Sequence, residues 1–408
     1  MKRVVITGAG VLSPLGHDWA SVRARLEARR NAVRVFPDWA QYHGLNTRMG
    51  VPCEPFELPP HYNRKTTRSM GRVALMAVRA SELALADAGL LDSPLLRSGK
   101  LGISYGSSAG TPASMSDFGR MVLEKTTDTI NATTYIKMMA HTAPVNIGVF
   151  FGITGRIITT SSACTSGSQG IGYAYEAIRS GRQVAMLAGG AEELDVTDAA
   201  VFDVLFATSC SNETPEATPR PFDAKRDGLV IGEGACTLVL EELEHARARG
   251  ARILAEVVGY GTNSDGQHVT QPNAATMAQA MRLALEDAGL PPEAIGYVAA
   301  HGTATEHGDI AESLATQDVF GPRLPVSALK SYTGHTLGAC GALESWVAVQ
   351  MMREGWFHPT LNLAEPDPRC GELDYLVGEG RRIDTEYVVN NNFAFGGINT
   401  SLVFRRWP

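Results

Sequence analysis

Short apolar runs alternate with longer stretches of mixed polarity along most of the chain. Eight runs predict buried strands: Lys2–Thr7, Lys100–Tyr105, Arg156–Thr160, Val184–Ala188, Ala235–Leu240, Ile253–Tyr260, Ile295–Ala300 and Val388–Asn392. Between them, apolar residues return at helical period over Ser69–Gly89, Gln169–Gly181, Ala275–Gly289 and Ala339–Gly355. Strands interleaved with helices predict an α/β fold with a largely parallel sheet. Each helix closes on a glycine (Gly89, Gly181, Gly289, Gly355), where a left-handed cap favours a residue without Cβ.

The pattern occurs twice. The segment Leu83–Leu90 returns as Leu283–Leu290, with Glu286 in place of Ala86. After each copy comes a strand ending in a glycine loop, Gly106-Ser107-Ser108 and then His301-Gly302-Thr303. A polar loop and another helix follow in each half. This order predicts a duplicated chain, with halves at 1–248 and 249–408 whose apolar faces meet at a shared cleft.

Composition narrows the function classes. With 408 residues, 44% apolar and 19% charged, the chain is globular rather than disordered. A net charge of −7 gives no expectation of nucleic-acid binding. No apolar run approaches the roughly 18 residues that a membrane helix needs. Lys2 and Arg3 before Val4-Val5-Ile6 resemble the start of a signal peptide, but the run breaks at Thr7-Gly8, so a buried first strand is expected. The six cysteines form no C-x-x-C and no zinc-finger spacing with histidine, and scattered thiols predict a reducing cytoplasm. Gly8-Ala9-Gly10 does not make a dinucleotide site, because Ser13 stands where the third glycine belongs.

Four segments carry candidate chemistry. In Thr160-Ser161-Ser162-Ala163-Cys164-Thr165-Ser166-Gly167 a strand gives way abruptly to a helix. A cysteine there sits at a helix start, whose dipole lowers a thiol pKa and whose free N–H groups can hold an oxyanion. A small buried side chain is the other reading of Cys164. In His301–Asp309 the histidine emerges at the C-terminal edge of a strand, where open α/β sheets bind ligands. Thr303 and Thr305 then face one way, and a zinc site through His301, His307 and Asp309 is the competing reading. Lys330–Gly338 follows another strand-like run and brings Lys330 and His335, with Glu344 on the next helix. Asn391–Asn399 places Gly396-Gly397 between Phe395 and Asn399, as a tight turn or an ordinary hairpin would.

Together these segments resemble the condensing enzymes of the thiolase superfamily, and most closely the β-ketoacyl-[acyl-carrier-protein] synthases. Arg220–Gly228 and Gly232-Glu233-Gly234-Ala235 extend the resemblance over nearly the whole chain. It implies a thiolase-like fold of two βαβαβαββ halves in five αβαβα layers, assembled as a homodimer or with a related subunit. It implies an acyl chain held as a thioester on Cys164 and a decarboxylative Claisen condensation with malonyl carrier protein. By the same resemblance, the N–H groups of Cys164 and Phe395 form an oxyanion hole. His301 and His335 polarise the malonyl thioester, and Lys330 organises the site with Glu344 and Asp309. Thr303 and Thr305 hold the phosphopantetheine arm, and Phe395 is the gate that separates acyl and malonyl access. Arg64, Lys65 and Arg68 are expected to dock an acidic acyl carrier protein. No metal and no separate cofactor is implied. Ala109 stands where the family tends to carry a bulky aliphatic residue, which predicts a wider acyl pocket. A specialised polyene or polyketide ketosynthase is the nearest alternative. Cys164 with both histidines argues against a non-catalytic chain-length partner. The lack of an obvious second cysteine base argues against a degradative thiolase, since Cys340 is expected to lie within a helix.

Overall fold

The computed structural model describes all 408 residues. Its centre is an eleven-stranded sheet. In chain order the strands are β1 (Val4–Leu12), β2 (Leu101–Gly106), β3 (Ile157–Thr159), β4 (Ala185–Glu192), β5 (Gly234–Glu242), β6 (Ala255–Ser264), β7 (Ile295–Ala299), β8 (Pro325–Ser327), β9 (Asp374–Tyr375), β10 (Tyr387–Ala394) and β11 (Ile398–Arg406). Their spatial order is β9-β8-β7-β10-β11-β6-β1-β5-β4-β2-β3. Six helices matter here: α1 (Arg72–Asp87), α2 (Pro112–Glu124), α3 (Ser166–Arg179), α4 (Ala274–Ala288), α5 (Glu306–Phe320) and α6 (Cys340–Glu354).

The spatial order reads as a palindrome about the β1–β6 junction. From the centre outwards the first half runs β1-β5-β4-β2-β3, and the second runs β6-β11-β10-β7-β8. Each half is therefore βαβαβαββ, and the duplication read from the repeat is present in three dimensions. The expectation of a largely parallel sheet is corrected. Pairings β2–β3, β2–β4, β7–β8, β7–β10 and β8–β9 are parallel. Pairings β1–β5, β1–β6, β4–β5, β10–β11 and β6–β11 are antiparallel. Each half ends with two strands that are neighbours both in strand order and in the sheet, β4–β5 and β10–β11, and these pair antiparallel.

Close backbone approach explains part of the glycine content. A Cβ on Gly8 or Gly10 of β1 would strike Ala84 and Ala80 of α1 at 2.6 and 1.9 Å. On β6 a Cβ on Gly259 or Gly261 would strike Ala284 and Ala280 of α4 at 2.3 and 2.1 Å. The same glycine pair thus seats the same repeated helix in both halves. All four glycines expected to cap helices have a positive φ, between 65° and 75°. Helices α1 and α4 cover the outer faces, while α3 and α6 lie between the halves and pack on strands of both. That central position explains why α6 is buried continuously from Cys340 to Met352. No helix of the structure is long and apolar enough to cross a membrane.

Candidate active site

The two central helices begin in the same way. Before α3, a single 3₁₀ turn (Ala163–Thr165) places Ala163 at φ +49°. Before α6, the turn Leu337–Ala339 places Leu337 at φ +45°. A left-handed residue with a side chain is strained and lets the chain change direction within one residue. Cys164 follows the first such residue and Gly338 follows the second, so the duplicated device presents a single thiol. The helix starts meet closely, since a Cβ on Gly341 would come within 2.7 Å of the Ser168 nitrogen. Cys164, His301, Lys330 and His335 are all buried.

The hydrogen bonds around the imidazoles fix their protons. Nε2 of His335 lies 3.0 Å from Cys164 Sγ. Its Nδ1 accepts the Leu337 N–H at 3.1 Å, so the ring proton must be on Nε2, facing the sulfur. His335 is clamped from the first half, donating its backbone N–H to the Val230 carbonyl and accepting the Gly232 N–H at its own. His301 stands edge-on to His335, with ring centroids 5.2 Å apart. Its Nδ1 faces the Lys330 ammonium at 3.0 Å and the Asn392 amide nitrogen at 3.2 Å. Both neighbours are donors, so His301 also carries its proton on Nε2. Burial, reinforced by Lys330, holds both imidazoles well below the ordinary histidine pKa. They are neutral N–H donors at pH 7.

Lys330 is held by charge. Its ammonium reaches Glu344 at 2.5 Å and the His301 carbonyl at 2.7 Å. Burial works against that charge, but the acidic neighbours, Glu344 among them, outweigh it and raise the pKa. Asn392 completes the set by donating to Glu344 at 2.6 Å. For Cys164 burial dominates and pushes the thiol up to about 11. Lys330 and the backbone N–H groups of Phe395 and Cys164 act in the opposite direction. The expectation that the helix start leaves this thiol with a lowered pKa is therefore corrected.

Cys164, His301 and His335 open into a cavity of about 570 Å³ whose walls include Thr303, Thr305 and Phe395. The threonine hydroxyls lie 2.8 Å apart. Phe395 stacks on Phe202 at 5.1 Å, on the β10–β11 hairpin turned by left-handed Gly396 and Gly397. Cys164, His301 and His335 also form a group that could receive a metal ion. Both Nε2 atoms facing the chamber carry protons, however, and a protonated ring nitrogen has no lone pair for a metal.

Several expected residues lie elsewhere. Asp309 does not join Lys330. It accepts the Phe222 and Ala304 N–H groups at 2.7 and 3.1 Å and lies 3.6 Å from Arg226. A second buried acid, missed in the sequence, is Glu312, which holds the His301 loop. Its two oxygens accept the His301 and Gly302 N–H groups at 2.6 and 2.7 Å. Glu312 lies one turn along α5, a helix whose period the polar run Glu306–Asp309 disguises. Asn392 and Glu192 also carried no readable signal. Glu192 accepts the Gly338 N–H and holds the Ser107–Ser108 loop. Ala109 lies on that loop and is not part of the cavity wall. His307 is exposed and Asp309 is engaged with backbone N–H groups, so they make no zinc site with His301. Cys340 opens α6 rather than lying within it, and its thiol donates to the Cys164 carbonyl at 3.3 Å. Arg64, Lys65 and Arg68 are exposed around a single helical turn.

Comparison with known proteins bears on the family. The model of the β-ketoacyl synthase N-terminal domain matches residues 1–246, and that of the C-terminal domain matches residues 254–364. The chain is 35% identical to the 3-oxoacyl-[acyl-carrier-protein] synthase 1 of Haemophilus influenzae, across the whole of both chains. It is 59% identical to a solved β-ketoacyl synthase from Burkholderia phymatum STM815, across the whole of both chains, with a TM-score of 0.99. It is 30% identical to AntDE:AntF, a type II PKS acyl-carrier protein in complex with its ketosynthase bound to the hexaketide, across the whole of both chains, with a TM-score of 0.89.

Proposed function

The chain belongs to the β-ketoacyl synthase family, and from that premise we propose how its chamber works as a 3-oxoacyl-[acyl-carrier-protein] synthase that elongates fatty acids by two carbons. One observation carries the residue assignment. The Cys164 thiol faces an Nε2–H of His335 whose tautomer is set by the Leu337 N–H, with a second Nε2–H donor, His301, beside it.

In the first half-reaction Cys164 sulfur attacks the acyl thioester carbon. The pantetheine sulfur of the carrier protein leaves and takes up the proton that Cys164 loses. The N–H groups of Cys164 and Phe395 face this sulfur and are assigned to the tetrahedral oxyanion. In the second half-reaction the malonyl thioester carbonyl accepts both Nε2–H bonds. Its C–CO₂ bond breaks, carbon dioxide departs, and the electron pair forms an enolate held by the two donors. The enolate carbon attacks the Cys164 thioester, and collapse expels the Cys164 sulfur, which regains a proton. Lys330 touches neither carbonyl. It keeps His301 in the donating tautomer, with Glu344 and Asn392 behind it. Thr303 and Thr305 are assigned to the phosphopantetheine arm, which brings the substrates without a separate cofactor. Arg64, Lys65 and Arg68 are assigned to the acidic carrier protein. The unpaired edge of β3 is assigned to a second copy of the chain.

The test is mass spectrometry of peptides after incubation with acyl carrier proteins of several chain lengths, saturated and polyunsaturated. Acylation is expected on the Cys164 peptide and absent from Cys164→Ala. His335→Ala should still acylate but lose about 10²–10³-fold in malonyl decarboxylation. Acylation of another cysteine in Cys164→Ala would overturn the assignment. The likeness to a hexaketide-bound ketosynthase is the reason for including polyketide chains in the panel.

A further inference from the structure

Phe206 combines two unfavourable features at the mouth of the cavity. Its side chain is 89% exposed, more than any other large apolar residue after Met1. Its backbone is left-handed, at φ +54°. The helix Val196–Asp203 ends just before it. The Phe206 N–H donates to the Asp203 carbonyl, and the Ala207 N–H donates to the Phe202 carbonyl. That is a Schellman cap with phenylalanine at the position that favours glycine. A bulky residue there is strained, an exposed aromatic ring loses hydrophobic stabilisation, and no intramolecular contact of the ring offsets either cost.

The cap that carries Phe206 is tied to the body of the protein by hydrogen bonds. Asp203, three residues earlier, accepts the Asn46 and Thr47 N–H groups and the Thr208 hydroxyl, which ties the cap to the body. Leu205, Phe206 and Val269 all line the cavity, at 45%, 89% and 70% exposure. Lys225, next to the lining residue Arg226, is exposed and makes no ion pair.

We infer that Phe206 is the apolar anchor on which the carrier protein docks while its pantetheine arm enters the cavity. This rests on the carrier-bound substrates proposed above. An arm that must reach Cys164 through this mouth places its protein over the rim. A ring held out by a strained, well-tied cap is ordered before the partner arrives, so little side-chain entropy is lost on binding. Aromatic anchors of this kind dominate the energetics of many interfaces. Lys225, beside the lining residue Arg226, supplies charge complementary to an acidic partner.

The decisive variant is Phe206→Gly, which suits the left-handed backbone and so keeps the fold. Two measurements are made on parent and variant: direct binding of holo carrier protein by fluorescence anisotropy, and condensation with either carrier-borne or free pantetheine thioesters. Phe206→Gly should melt at or above the parent temperature, weaken carrier binding and raise KM for carrier-borne substrate roughly tenfold. Turnover of free pantetheine thioesters should be unchanged, and Phe206→Trp should restore binding. Unchanged carrier binding would overturn the inference, as would an equal loss with free thioesters. A shift of Phe206→Gly from dimer to monomer would instead assign the ring to a second copy of this chain. If the parent binds carrier protein through Phe206 but condenses nothing, the docking site stands and the catalytic reading fails.

Discussion

At the residue scale, Cys164 is the point where burial and local dipoles oppose each other. A helix start stabilises a nearby anion by at most about 2 kcal/mol. Removing a charged group from water costs several kcal/mol even after relaxation. Burial therefore wins, and the thiol stands at about 11. Because a raised pKa leaves little thiolate at neutral pH, alkylation of Cys164 by iodoacetamide should quicken about tenfold for each unit of pH between about 7 and 9. Lys330→Ala removes the strongest effect that favours the thiolate, so alkylation should be slower at every pH in that range. A rate independent of pH would mean that the thiolate already exists and that burial does not govern the site. Cys164 and both histidines could be singled out as candidates in the sequence, because each follows a strand end in a small-residue or glycine loop. Glu312, Glu192 and Asn392 were not. They act by accepting or donating across segments far apart in the chain, and no local spacing encodes such partners.

At the scale of elements, the repeated helix and its paired glycines work as one unit. The Cβ of Gly10→Ala would lie 1.9 Å from the Ala80 carbonyl oxygen, and that of Gly261→Ala would lie 2.1 Å from the Ala280 oxygen. Backbone on both sides must shift, so each substitution should destabilise by about 1–3 kcal/mol or more in chemical denaturation. Gly119→Ala, on an open face of α2, is the control and should stabilise slightly, as alanine for glycine in a helix does. If Gly10→Ala is harmless while Gly261→Ala is not, the halves do not share this packing. The helices α1, α3, α4 and α6 were visible in the sequence through their period and capping glycines. Helices α2 and α5 were missed, as was the closing strand β11. Segment Pro112–Glu124 shows a mixed face, with Val122 and Leu123 turned outward, and that pattern does not read as a helix packed on one side.

At the scale of the molecule, the sheet ends on β9 at one edge and on β3 at the other. β3 pairs only with β2, and Ile157 is 42% exposed at the edge. Leu123 on α2 is 83% exposed. A short apolar edge strand invites pairing with another chain unless something covers it. The parent should therefore sediment as a dimer, and Leu123→Glu or Ile157→Lys should shift it to monomer. Two variants on separate elements guard against one of them simply unfolding. A monomeric parent would remove the assignment of this edge.

The sequence by itself determined what is local: most of the strands, where the four capped helices stop, that the chain is doubled, and which residues are candidates for nucleophile and hydrogen-bond donors. Those properties follow from periodicity, from the conformational freedom of glycine and from the chemistry of single side chains. The tertiary structure alone decided the antiparallel half of the sheet, the protonation of the two imidazoles, the partners of Lys330 and the raised pKa of Cys164. Each of these depends on which backbone groups and charges folding brings within a few ångströms, and on how much water it removes. Separation along the chain carries neither quantity.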